Sequence, residues 1–113
     1  MDFREYADLI KEKVAEKNEK DPNWKWSVKS IGKTVVSIRW GYLDYLEEKQ
    51  NCFKIQVSSE DNDVIYAMTP YGSVMEAYWT SENPNPNIGC EVLPEKAIEY
   101  AIDEIAYHAH SRY

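Results

Sequence analysis

The chain reads as an α+β domain: an N-terminal helix, an antiparallel sheet of about four to five strands joined in hairpins, and a C-terminal helix, with both helices on one face of the sheet. Three observations predict this. Apolar residues recur at helical spacing near both ends of the chain. Between those ends the period drops to two over several short runs. Gly, Pro and Asn clusters punctuate the runs at hairpin intervals. With 113 residues, one domain covering 1–113 is expected, large enough to bury a core with no disulfide or metal.

The first helix is predicted over Phe3 to Asn18. Phe3, Tyr6, Ala7, Ile10 and Val14 form one stripe, and Lys11, Glu12, Lys13, Glu16 and Lys17 fill the rest. Asp2 is positioned as N-cap, and Asp21-Pro22-Asn23 ends the segment. In "WKWSVKSIGKTVVSIRW" the apolar set Trp24, Trp26, Val28 must share a face with Val36, Ile38, Trp40. A loop of Ile31-Gly32-Lys33 achieves this by pairing Trp24 with Trp40, Trp26 with Ile38 and Val28 with Val36. Gly41 marks a bulge or kink.

"YLDYLEEKQN" suits either a strand continuation or a helical turn, whereas "CFKIQVS" is a strand with Phe53, Ile55 and Val57 inward. "SEDND" is an acidic turn. A second hairpin turns at Thr69-Pro70-Tyr71-Gly72, where Pro suits the second turn position and Gly accepts the closing conformation. After the loop "SENPNPNIGC", Pro94 opens a helix with Glu95 in its first turn. Its stripe is Ile98, Ala101, Ile102, Ile105 and Ala109.

The start "MDFREYADLIKEK" lacks the apolar stretch of a signal peptide, and no run is long and apolar enough for a membrane span. Two cysteines without C-x-x-C spacing read as small buried hydrophobes with reduced thiols, although a bridge between them stays open. A cytoplasmic location is expected, with no membrane partner.

Chemistry-bearing patterns are sparse. Glu104 and His108 are four apart on the last helix. His108 and His110 differ by about 200° around it and do not converge on one ion, so no metal site is assigned. Counted as a calcium loop from Asp61, the sequence has Tyr66 where Gly is needed and Gly72 where Glu is needed. No phosphate-binding glycine loop, dinucleotide fingerprint or nucleophile elbow occurs. No catalytic residue and no cofactor is therefore assigned.

Net charge is −7, and it is uneven. Residues 1–56 carry net +1, whereas residues 57–113 carry Lys96 and Arg112 against ten acids, net −8. Such asymmetry suggests a charged interaction surface. Lys25, Lys29 and Arg39 share the outward face of the first hairpin, but Trp24, Trp26 and Trp40 point away from them, so direct nucleic-acid binding is disfavoured.

The second hairpin is apolar on both faces. Simple alternation groups Val64, Tyr66, Met68, Val74, Glu76 and Tyr78 on one, and Ile65, Ala67, Met75, Ala77 and Trp79 on the other. Both cannot face the helices. The surplus face is either covered by the 42–51 segment or the Asn/Pro loop, or it is a partner-binding surface. The expected partner-binding residues are Tyr66, Met68, Tyr71, Glu76, Tyr78, Trp79 and Glu82. Acids around them (Glu60, Asp61, Asp63, Glu76, Glu82, Glu91) would steer a basic partner; self-association is the other option. The functional expectation is a non-enzymatic, acidic protein-interaction domain. One form of it is an inhibitor of a basic, nucleic-acid-handling host protein, of phage or mobile-element type. The alternative is a small-ligand-binding domain or small enzyme whose pocket lies between sheet and helices, with Glu104 and His108 as polar groups.

Overall fold

Asp2 starts the first helix as its spacing predicts: its carboxylate accepts a hydrogen bond from the Glu5 backbone N–H at 2.9 Å. The computed structural model describes residues 1–22, 24–42, 51–58 and 64–112. Eight elements follow in order: α1 (Phe3–Lys20), β1 (Trp24–Ile31), β2 (Val35–Tyr42), β3 (Asn51–Val57), β4 (Val64–Met68), β5 (Val74–Thr80), β6 (Glu91–Val92) and α2 (Pro94–Arg112).

The sheet has six strands in sequence order, rather than four to five. The first five form an antiparallel meander, and β6 runs parallel to β5. The added strand is two residues long, held where the Ser81 N–H donates to the Val92 carbonyl at 2.9 Å. So short a strand has no periodicity to read.

One set of alternate strand residues is buried with the helix stripes in a single core. Tyr6, Ala7, Ile10 and Val14 come from α1, and Ile98, Ala101, Ile102, Ile105 and Ala109 from α2. The sheet supplies Trp26, Val36, Ile38, Trp40, Phe53, Ile55, Val57, Ile65 and Ala67. Each fully buried aliphatic side chain here contributes about 1.5–3 kcal/mol relative to exposure. α1 packs against β1 and β2, α2 against β4 and β5, and the helices touch each other.

Two bulges change the expected pairings. In the first hairpin Trp24 pairs with Tyr42, Trp26 with Trp40 and Val28 with Ile38. The faces are as expected, but the register slides by two residues. Lys29 is the extra residue on β1, and the turn shifts to 32–34, closed by the Gly32 N–H donating to the Val35 carbonyl at 2.7 Å. Gly41 is neither bulge nor kink: it is buried and pairs with Lys25 in unbroken register.

In the second hairpin the expected turn forms, with the Gly72 N–H donating to the Thr69 carbonyl at 3.0 Å and Gly72 at φ 88°. Met75 is then an extra residue: Met68 pairs with Val74, but Ala67 pairs with Glu76. Beyond it every β5 side chain changes face relative to simple alternation. The 43–50 segment and the acidic turn at 59–63 lie outside the described residues.

Candidate partner-binding surface

The Met75 bulge decides which residues face outward. Ile65 pairs with Tyr78 and Ala67 with Glu76, so Tyr78 and Glu76 belong to the core face. The expected grouping of these two with Tyr66 and Met68 is thereby corrected. Tyr78 stacks on Tyr100 of α2, with ring centroids 6.0 Å apart, and donates to the Tyr100 carbonyl at 3.3 Å. Burial pushes its phenol up to about 12, helped by the carboxylates of Glu104, Glu76 and Asp103. Tyr78 is therefore a protonated structural donor at neutral pH.

The opposite face gathers Val64, Tyr66 and Met68 with Val74, Ala77 and Trp79. Val64 is buried and Tyr66, Met68 and Ala77 are half-buried, while Val74 is 55% and Trp79 52% exposed. Tyr71 stands at the hairpin tip, 86% exposed. The Asn/Pro loop extends the patch. Gly89 takes φ 84°, and Ile88, Cys90 and Glu91 form with Trp79 and Thr80 a groove of about 440 Å³. Three of the seven expected residues thus meet on one face (Tyr66, Met68, Trp79), and Tyr71 caps its end.

Glu82 stands apart, past the end of β5, where the N-terminal ammonium donates to it at 3.3 Å. Of the other expected steering acids, Glu91 accepts from the Asn85 N–H at 3.1 Å, and Glu60, Asp61 and Asp63 lie outside the described residues.

Cations share the same face. Arg39 pairs with Cys52, Ser37 with Lys54, and Lys54 with Met68, placing Arg39 and Lys54 on the side of Tyr66 and Trp79. Lys25, opposite Gly41, extends the row to the sheet edge. Among the described residues, Arg39 Nε is buried without a hydrogen-bond partner. Nothing in the sequence singles out Lys54, because a lone lysine in an alternating strand reads as solvated.

The helices carry the remaining polar chemistry. Lys13 is buried, and its ammonium meets Glu95 at 2.7 Å, Glu99 at 3.0 Å and Glu16 at 3.6 Å. Hydrogen bonds to Glu95 and Glu99 hold its pKa well above the usual lysine value, and the Lys13 ammonium holds Glu99 below the carboxylate norm. The signal was present: Lys13 continues the Tyr6–Ile10 stripe seven residues after Tyr6. Glu104 and His108 form the expected pair at 3.0 Å on α2. No group of three metal-ligating side chains occurs among the described residues. Cys52 and Cys90 are free thiols. No helix among the described residues is long and apolar enough to cross a membrane.

No protein-family model matches this chain, and no curated protein and no solved structure matches it either.

Proposed function

We propose that the chain is a non-enzymatic protein-interaction domain that docks its partner on the sheet face opposite the core. This reading takes both helices to lie on one face. Three contacts made on the core side support that placement. Tyr6 of α1 shares a hydrogen bond with Thr80 of β5 at 3.2 Å. Tyr78 donates to Tyr100 of α2. Lys13 ties α1 to Glu95 and Glu99 of α2.

The observation that carries the proposal is the Tyr66, Met68, Val74, Trp79 cluster, continued by exposed Ile88. Contiguous exposed apolar surface of this kind marks interaction sites. Trp, Tyr and Met are the residues that interface cores favour, and a Trp standing half out of a sheet is a natural anchor. The more specific form expected from composition, an inhibitor of a basic, nucleic-acid-handling host protein, rests on small size and overall negative charge and draws no support from this face, whose described charges are cationic.

The test is affinity capture from a lysate of the source cells with wild type, Trp79→Asp and Tyr107→Asp. Tyr107 is 69% exposed on α2, away from the proposed surface. A protein held by wild type and Tyr107→Asp but released by Trp79→Asp is the expected result. Retention indifferent to Trp79→Asp refutes the docking surface. Light scattering separates a heterologous partner from a second copy.

A further inference from the structure

We infer that the segment docked on this face is acidic and extended, lying diagonally across the strands with its carboxylates on Lys25, Arg39 and Lys54 and its apolar anchors on Tyr66 and Trp79. This deepens the protein-docking reading and rests on it. The register places one of these five residues on each of the first five strands. Each stands two positions along from the direct partner of the one before: Gly41 precedes Arg39, Cys52 precedes Lys54, Met68 precedes Tyr66 and Ala77 precedes Trp79 in this sense. Diagonal neighbours of this kind are about 7–8 Å apart. Side chains on one side of an extended chain recur every two residues, at about 6.6–6.8 Å. A segment of about nine residues, acidic at three alternate positions and apolar at the next two, matches that track step for step.

Among the described residues of β1–β5, the charge of this face opposes that of the molecule. The chain is −7, yet no carboxylate stands on this face among the described residues of β1–β5. Glu76 is on the core face, and Glu82 holds the N-terminus. The basic partner expected from overall composition would meet cations here. An acidic one would find the side chains of Lys25, Arg39 and Lys54 in one row. Nucleic acid fits less well. The residues around the aromatic pair are the aliphatic Val64, Met68, Val74 and Ala77 rather than further stacking rings, and Glu91 stands beside Trp79 in register.

A displayed library of random peptides about twelve residues long, panned on the wild-type chain, tests this. Enriched sequences are then synthesised and titrated against wild type, Arg39→Glu/Lys54→Glu and Trp79→Ser, with folding checked by circular dichroism. Should the double reversal not fold, Arg39→Gln/Lys54→Gln replaces it. The expected winners carry alternating Asp or Glu followed by aromatic or aliphatic residues. Their Kd is expected to rise about tenfold or more in the double variant, and to rise with ionic strength. No enrichment, winners without the acidic pattern, or equal binding to the charge variant overturns the inference. Tighter binding of a twelve-nucleotide single strand than of any peptide overturns it in favour of nucleic acid. Non-acidic winners that still require Trp79 would refute the acidic partner and leave the docking face standing.

Discussion

Tyr78 and Trp79 are adjacent, yet they do opposite work. Tyr78 is pinned between the sheet and Tyr100, whereas Trp79 stands half-exposed beside Ile88 and Cys90. Trp79→Ser is therefore expected to change unfolding stability by less than about 1 kcal/mol while abolishing partner binding. Tyr78→Phe is expected to leave binding intact and cost about 0.5–1.5 kcal/mol, the net worth of one hydrogen bond. Urea denaturation beside a binding titration separates the two. Lys13 is a buried lysine, an environment unusual for its type. Its stem lies in the core layer while its ammonium meets Glu95, Glu99 and Glu16. Lys13→Ala is expected to cost about 2 kcal/mol, less than a fully buried pair because Glu95 and Glu99 can rehydrate. Lys13→Met, which keeps the apolar stem, is expected to recover at least half of that loss.

The edge strand β1 is guarded by the helix beside it. Asn18 of α1 accepts from the Trp26 backbone N–H at 2.9 Å, and Asp21 accepts from the Trp26 indole N–H at 2.9 Å. With the Lys29 bulge beyond, these contacts blunt an edge that would otherwise invite another strand. Asn18→Ala is expected to cost about 1–2 kcal/mol by leaving that N–H unpaired, measured by thermal unfolding.

What was legible from the chain was local. Asp2, Pro94 and the two helix stripes act within a turn or two of themselves, so period and caps suffice to place them. The hairpin faces of β1 and β2 were legible for the same reason, because Trp and Val alternate with Lys and Ser. Register was not. Lys29 and Met75 are ordinary strand residues, and nothing in their type announces an inserted position. That single extra residue at Met75 exchanges Tyr78 for Trp79 on the outer face and carries Glu76 to the core side as well. Lys25 and Arg39 share a face by alternation alone, but their continuation through Lys54 to Tyr66 runs across three strands, a juxtaposition made by topology.

At the scale of the whole molecule, charge among the described residues is sorted by surface. The described carboxylates concentrate on the helices, where Lys13 and Glu99 hold each other ionised, while the described residues on the sheet face of Tyr66 and Trp79 are basic and apolar. The sorting predicts how stability responds to pH. Glu99 has a folded pKa below its ordinary 4.5 because Lys13, then Lys96, donates to it. The stability it contributes is full above 4.5 and is lost as pH falls through the folded value. Lys13 is raised above its ordinary 10.5 by Glu95 and Glu99. Its contribution is full below 10.5 and is lost as pH rises through the folded value. Tyr78, raised from 10.0 to about 12, adds a loss in the same alkaline window. A plateau from about pH 5 to 9 with decline on both sides is expected, and Lys13→Met should flatten both shoulders.

The docking face itself is tested most directly by site-specific photocrosslinking inside the source cells. A benzophenone amino acid is placed at Val74, on the outer sheet face, or at Tyr107, on the outer surface of α2. The expected result is a discrete protein adduct from position 74 and none from position 107. An adduct from position 107 alone, or from neither position, would contradict the assignment of the sheet face as the interaction surface.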